Sequence, residues 1–132
     1  MNDFIFHDFD KACHRYPSLQ DDEVSITRTE KNMYIFLNRK ISSDIQEMGF
    51  RKLRIMENAI TGELYLLFNK KNGCSINPSA VKKPSIMIAN TGFVQFIVNK
   101  LGLTQIGRDI LKISKNKANS NDYLTYQILE TI

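Results

Sequence analysis

Residues 33–49, MYIFLNRKISSDIQEMG, are echoed later in the chain by residues 93–107, FVQFIVNKLGLTQIG. In each stretch an apolar run (YIFL or QFIV) ends at an asparagine, Asn38 or Asn99, which a cation follows at once. A short helical pattern then closes on a glycine in both stretches. Internal repetition of this kind points to structural units that bury their apolar faces against one another. We therefore predict two copies of one unit.

The first copy predicts the order strand, strand, helix, strand, strand over residues 24–69. Asn38 can cap the helix through its side chain, and Gly49 can supply the left-handed residue that follows a helix. One apolar face of this helix is formed at spacings of four and three residues by Ile41, Ile45 and Met48. Both ends of the helix are therefore marked in the sequence.

The predicted fold is α+β and β-rich, with two pseudosymmetric ββαββ repeats that form a single interlocked barrel-like domain after a short N-terminal helix. A single ββαββ unit of roughly 45 residues buries too little apolar surface to be stable alone, so the two copies are expected to share one core. The predicted boundaries are 1–23 for an acidic N-terminal helical arm, 24–69 for the first repeat, 70–83 for a surface linker and 84–132 for the second repeat.

Charge is distributed unevenly along the 132 residues, which carry a net charge of +4. Residues 1–23 hold two cations and six acids, whereas the remainder holds sixteen cations and eight acids. A basic body favours a polyanionic partner such as DNA. The apolar fraction of 42% is typical of a globular protein, and we expect no membrane span and no secretory signal. The expected location is the cytoplasm.

Aromatic residues in the acidic arm recur at helical spacing. Phe6, Phe9 and Tyr16 lie on one predicted helical face, which either packs on the body or binds a partner protein. Both histidines of the chain are in this arm, without the spacing of zinc ligands, so neither a metal nor another cofactor is expected. The body has no histidine and no catalytic motif, so we predict no enzymatic activity and no catalytic residues.

The predicted unit resembles the AbrB/MazE-type swapped-hairpin module, present here as two tandem copies in one chain. In that family two such halves interlock into a small barrel, usually as a homodimer, and many members are bacterial DNA-binding regulators or antitoxins. The resemblance implies cations near the turn before the second strand, where Arg28 and Lys31 stand. It also implies cations at the start of the helix, where Arg39 and Lys40 stand. Asn38 stands where those regulators typically have proline, and the turn of the second copy has no cation.

Cations at a helix start are a second reason to consider DNA, since Arg39 and Lys40 open the first predicted helix and Lys100 opens the second. They oppose the helix dipole by roughly 0.3–1 kcal/mol, and a bound phosphate would relieve this. Lys40 also has Asp44 one turn later as an intrahelical partner. Together with outward positions on the strands, the residues predicted to bind nucleic acid are Arg28, Lys31, Arg39, Lys40, Lys52, Arg54, Lys100 and Lys112.

Two classes of function therefore stay open from the sequence. The first is a non-enzymatic DNA-binding transcriptional regulator of the AbrB-like type, from a bacterium or a phage. The second is a protein-interaction module, antitoxin-like or a phage-encoded inhibitor, that blocks a partner through Phe6, Phe9 and Tyr16. A third interpretation joins them, with the acidic arm folding over the basic face and gating it. The sequence shows no helix-turn-helix, zinc finger or aromatic strand of the RNA-binding type.

Overall fold

The computed structural model describes residues 4–6, 19–104, 106–115 and 121–131. Strands and helices alternate irregularly through these ranges. In chain order they are β1 (Glu23–Arg28), β2 (Met33–Leu37), α1 (Arg39–Met48), β3 (Lys52–Glu57), β4 (Leu64–Asn69), β5 (Cys74–Ser75), α2 (Pro78–Val81), β6 (Met87–Ile88), α3 (Thr91–Leu101), β7 (Gly107–Lys115) and β8 (Tyr123–Thr131).

In the described part of the chain, eight antiparallel strands form one sheet that curls into a half-barrel. Its strand order is β5-β3-β4-β8-β7-β1-β2-β6. The C-terminal strands β7 and β8 pair with each other and also join the two hairpins of the first half, because β7 pairs with β1 and β8 with β4. The predicted α+β, strand-rich class is confirmed, and both halves of the chain contribute to one sheet.

One face of the sheet carries the hydrophobic core. Strand side chains alternate between the two faces, so every second residue points into the core. Helices α1 and α3 contribute to the same buried cluster through Ile45 and Val98. Burying each such aliphatic side chain contributes about 1.5–3 kcal/mol. The largest fully buried side chains include Ile26, Ile35, Leu37, Phe50, Leu53, Leu66, Phe68 and Ile97.

Helix α1 begins and ends where the sequence predicts. The Asn38 side chain accepts a hydrogen bond from the Ile41 backbone N–H at 2.9 Å, which satisfies one of the free donors of the first turn. Gly49 follows the helix with a φ of 72°, in the left-handed region. Ile41 and Ile45 are buried on the predicted face. The elements predicted for the first half, strand, strand, helix, strand, strand, are all present.

The prediction for the second half is wrong. Residues 95–98, predicted as an apolar strand, belong instead to α3, which is capped by Asn90 and followed by Gly102. Val94 and Val98 are buried on one helical face. An apolar run this short does not distinguish a strand from a buried helix, and here tertiary packing decides. The second half therefore contains β6, α3, β7 and β8 instead of a ββαββ copy, and the structure is not a pair of interlocked repeats.

The segment predicted as a surface linker, residues 70–83, contains the short elements β5 and α2. Ile76 and Val81 from this segment are buried in the core. The Ile76 N–H donates to the Arg51 carbonyl at 2.8 Å, which holds the segment against the edge of β3. These residues therefore extend the sheet and close the core beneath α1.

The N-terminal arm, residues 1–23, is described at residues 4–6 and 19–23, and Phe6 is 72% exposed. The helix predicted around Phe9 and Tyr16 lies outside the described residues. None of the helices found in the described ranges is long and apolar enough to cross a membrane.

Candidate nucleic-acid interface

The sheet face opposite the core is called the outer face. Because strand side chains alternate, the neighbours of core residues on β2, β1 and β7 all point to it. Pairing aligns these neighbours into two rows across the three strands, Phe36, Ser25 and Ile110 in the first and Tyr34, Thr27 and Arg108 in the second. Aromatic rings, hydroxyl groups and a guanidinium group therefore lie side by side on this face.

A depression of about 460 Å³, called the β1–β2 groove, opens on these rows. The rings of Tyr34 and Phe36 line it with their centroids 6.2 Å apart and their planes tilted by 54°. Arg39, the first residue of α1, and Arg108, from β7, line the same groove. Aromatic faces stack on planar bases, and guanidinium groups bind phosphate through charge-assisted hydrogen bonds. This groove therefore combines the two chemistries that a nucleotide needs.

The end of the acidic arm borders the groove. Asp21 lines it together with Leu19. The connector is held there by the Asn38 side chain, whose Nδ2 donates to the carbonyl oxygens of Asp21 at 3.0 Å and Glu23 at 2.8 Å. These bonds hold the backbone of Asp21, and its side chain lies at the edge of the same depression that Arg39 lines.

A second depression of about 390 Å³, the β3–β4 cleft, lies on the outer face towards the other edge of the sheet. Arg54, Lys70, Lys71 and Tyr123 line it, together with one acid, Asp122. The loop that carries the lysines is ordered by the Asn69 side chain. Its Oδ1 accepts from the N–H groups of Lys71 at 2.8 Å and Asn72 at 2.7 Å. The cleft is therefore a second basic site with an aromatic side chain.

Three of the cations predicted to bind nucleic acid are engaged in ion pairs. Lys40 pairs with Asp44 at 3.3 Å, as the sequence predicts. Lys112 contacts Asp22 at 3.2 Å and Glu23 at 3.4 Å. The hydrogen bond that the Lys112 ammonium donates to the Asp22 carboxylate is the main cause that raises the pKa of Lys112.

Lys100 is the third, and its placement corrects the sequence analysis. It pairs with Glu57 at 2.8 Å and lies over the Phe96 ring, 5.6 Å from the centroid. Lys100 does not open a helix but lies in the last turn of α3. A cation there is favoured by the helix dipole. Of the cations predicted to open a helix, Arg39 and Lys40 therefore do so in α1, whereas Lys100 does not.

The remaining predicted cations have different environments. Arg28 is buried at the end of β1, with 8% of its surface exposed. Lys31 is exposed in the turn between β1 and β2, and the Lys52 ammonium donates to the Ser75 hydroxyl. Only Arg39 and Arg54, among the eight predicted residues, line one of the two depressions.

Sequence reasoning missed Arg108, Lys70 and Lys71 as candidate site residues. Arg108 reaches the groove only because β7 pairs with β1, which places it opposite Thr27, 81 positions away in the chain. The sequence carries no local signal for that pairing. The two lysines form a visible pair in the sequence, but a lysine pair in a loop is usually only solvated charge. Their contribution depends on the position of Arg54 across the cleft.

Side chains that commonly bind metals do not cluster in the described part of the chain. No group of three or more His, Cys, Asp or Glu residues there could hold a metal ion. Burial raises the pKa of the Cys74 thiol above its ordinary value of 9.0, which disfavours the nucleophilic thiolate.

Comparison of the chain with protein-family models, with curated proteins and with solved structures found no match. The functional interpretation therefore depends on the geometry and charge of the outer face.

Proposed function

We propose that the protein is a non-enzymatic nucleic-acid-binding protein that holds DNA on the outer face of its sheet. The observation that carries the proposal is the β1–β2 groove, where Tyr34 and Phe36 lie beside Arg39 and Arg108. Stacking of a base on an aromatic side chain contributes about 1–3 kcal/mol. Phosphate contacts add affinity that depends on salt but not on sequence.

A role in transcription regulation, as in AbrB-like proteins, belongs to the same proposal. Its support from the resemblance is now limited to the first half of the chain, where the order of elements matches the expected unit. Arg39 at the start of α1 is the cation shared by that resemblance and the observed groove. The first experiment therefore replaces Arg39.

The test is a fluorescence-anisotropy titration of labelled DNA, duplex and single-stranded, between about 50 and 200 mM salt. We expect log affinity to fall linearly with log salt. Arg39→Ala should lower the affinity several-fold and reduce the slope by about one, because one phosphate contact is lost. The matched control is Lys82→Ala, which removes an exposed cation that lines neither depression. Affinity independent of salt, or an Arg39→Ala variant that binds like the wild type, would contradict the proposal.

A second candidate function is binding of a protein partner through the N-terminal arm. The observation that favours it is an apolar triplet open to solvent, with exposed fractions of 63% for Phe4, 84% for Ile5 and 72% for Phe6. Exposed apolar patches are typical of protein contacts. For this candidate function, the proposed partner is a second copy of the chain. Sedimentation of the wild type should then show a dimer. The Phe4→Ser/Phe6→Ser variant should be monomeric and should bind DNA with unchanged affinity. A monomeric wild type would contradict this candidate function.

A further inference from the structure

We infer that the nucleic acid is bound as an unpaired strand that runs across the outer face from the β1–β2 groove to the β3–β4 cleft. The inference rests on the proposed function and specifies the form of the ligand. Three properties of the outer face carry it: the position of its aromatic side chains, the distance between its two depressions and the distribution of its charges.

The aromatic side chains favour an unpaired strand. Tyr34 and Phe36 project from the middle of a strand pair on the sheet, and both are partly exposed. In a duplex the faces of the bases are stacked on one another, so that a protein reaches only their edges in the grooves. Side chains that offer flat faces therefore suit bases that are already unstacked. A groove of about 460 Å³ is in the size range of pockets for small molecules such as a nucleoside.

The two depressions lie on the same face at a distance that one short strand can cover. Five strand-to-strand steps separate β2 from β3 in the order of the sheet. At 4.7–4.9 Å for each step, the span is about 24 Å along the sheet. Tyr123 offers a second aromatic ring at the far end. The site should therefore cover several nucleotides, within the range of roughly 4–16 that small β domains occupy.

The cations that line the two depressions lie at the two ends of the face. Arg39 and Arg108 line the groove with one carboxylate, Asp21. The cations Arg54, Lys70 and Lys71 line the cleft, again with one carboxylate, Asp122. Between them Lys112 is already paired with Asp22 and Glu23. We therefore expect phosphate contacts at the ends of the bound segment, at most about five, which gives a salt slope no steeper than about −3.5 for a single strand.

The test is an anisotropy titration of the full chain with thymidine oligonucleotides of roughly 4 to 16 residues and with a duplex of the longest length. We expect the single strand to bind at least about tenfold more tightly than the duplex. Affinity should rise with length and level off once both depressions are filled. A uridine oligonucleotide that shows the same length dependence would also support the inference, because it is equally unpaired.

Two variants test where the nucleic-acid strand lies on the outer face. Phe36→Leu keeps an apolar side chain but removes the ring, so it should weaken binding about fivefold or more. Its matched control is Phe96→Leu, which changes a ring that is 38% exposed on α3 and lines neither depression. Arg54→Ala should weaken binding of the longest strand and leave the shortest unchanged. Far-ultraviolet circular dichroism should show that all three variants remain folded.

The outcomes separate the inference from the proposed function. Binding of neither DNA form would overturn both. Duplex binding as tight as single-strand binding would overturn the inference and leave the proposed function standing. Equal effects of Phe36→Leu and Phe96→Leu, or equal loss at all lengths in Arg54→Ala, would also overturn it.

Discussion

The Asn38 side chain donates from Nδ2 to the carbonyl oxygen of Glu23 at 2.8 Å, and so joins the start of α1 to the start of β1. The same side chain caps α1 through Ile41 and donates to the carbonyl of Asp21. Asn38 is 1% exposed, so water cannot replace these bonds. One buried amide therefore positions both the connector that borders the β1–β2 groove and the helix that carries Arg39.

Replacement of Asn38 by alanine should therefore lower the free energy of unfolding more than the loss of an ordinary helix cap does. Loss of a cap costs about 1 kcal/mol, and the buried Glu23 carbonyl left without its donor costs about 1–3 kcal/mol more. We expect Asn38→Ala to lower the free energy of unfolding by about 2–4 kcal/mol in urea denaturation. The control is Asn90→Ala, which removes the α3 cap bond to the Phe93 N–H and should cost only about 1 kcal/mol. Equal costs for the two variants would show that the connector bonds contribute little.

The carboxylate of Asp21 should weaken anion binding in the groove. Asp21→Asn removes this charge beside Arg39 and Arg108, while its backbone carbonyl can still accept from Asn38. We expect oligonucleotide affinity to rise a few-fold, and more at low salt, because screening by salt weakens the repulsion. Glu47→Gln is the control, since it removes an exposed charge of α1 that lines neither depression. A similar gain in both variants would indicate a nonspecific effect of net charge.

The buried hydroxyl of Tyr126 predicts a loss of stability at high pH. Burial and the carboxylate of Asp44, 3.5 Å from the hydroxyl, raise the pKa of Tyr126 above its ordinary value of 10.0. The unfolded chain then releases this proton near pH 10 while the folded protein retains it. Free energy of unfolding should therefore fall as the pH rises above about 10.

Tyr126→Phe cannot ionise in either state and should lose less stability between about pH 9 and 11 than the wild type. Its cost at neutral pH should stay below about 1.5 kcal/mol, the contribution of one hydrogen bond. The measurement is urea denaturation at both pH values. A residual decline is expected in the variant because the pKa values of Tyr65 and Lys112 are also raised. Identical declines in the two proteins would contradict the assignment to Tyr126.

The parts of the fold that were correctly predicted have local signals in the sequence. Asn38 and Gly49 mark the ends of α1, and the spacing of Ile41 and Ile45 marks its buried face. In the second half, Val94 and Val98 have the same helical spacing, but the short run at residues 95–98 resembles the strand before Asn38. Asn99 also imitates a cap, although Asn90 is the residue that caps α3. Local patterns therefore predicted the first half and misled in the second.

The candidate site was less predictable because its residues meet only through long-range pairing. Arg39 was identified from its place at a helix start, which is a local property. Arg108 joins it because β7 pairs with β1, and Tyr34 faces the same groove because of the register between β1 and β2. Register depends on the whole sheet, so no short segment reveals which aromatic and which cation will share a face.

The most direct test of the central claim is an amide chemical-shift titration of the ¹⁵N-labelled full chain with a thymidine oligonucleotide. If the nucleic acid lies on the outer face, the largest shifts should occur in β1 and β2, at Arg39, and at residues 69–72 of the β3–β4 cleft. The amides of α3, which packs on the core face, should shift little. Shifts confined to α3 or to residues 4–6, with β1 and β2 unchanged, would contradict the claim.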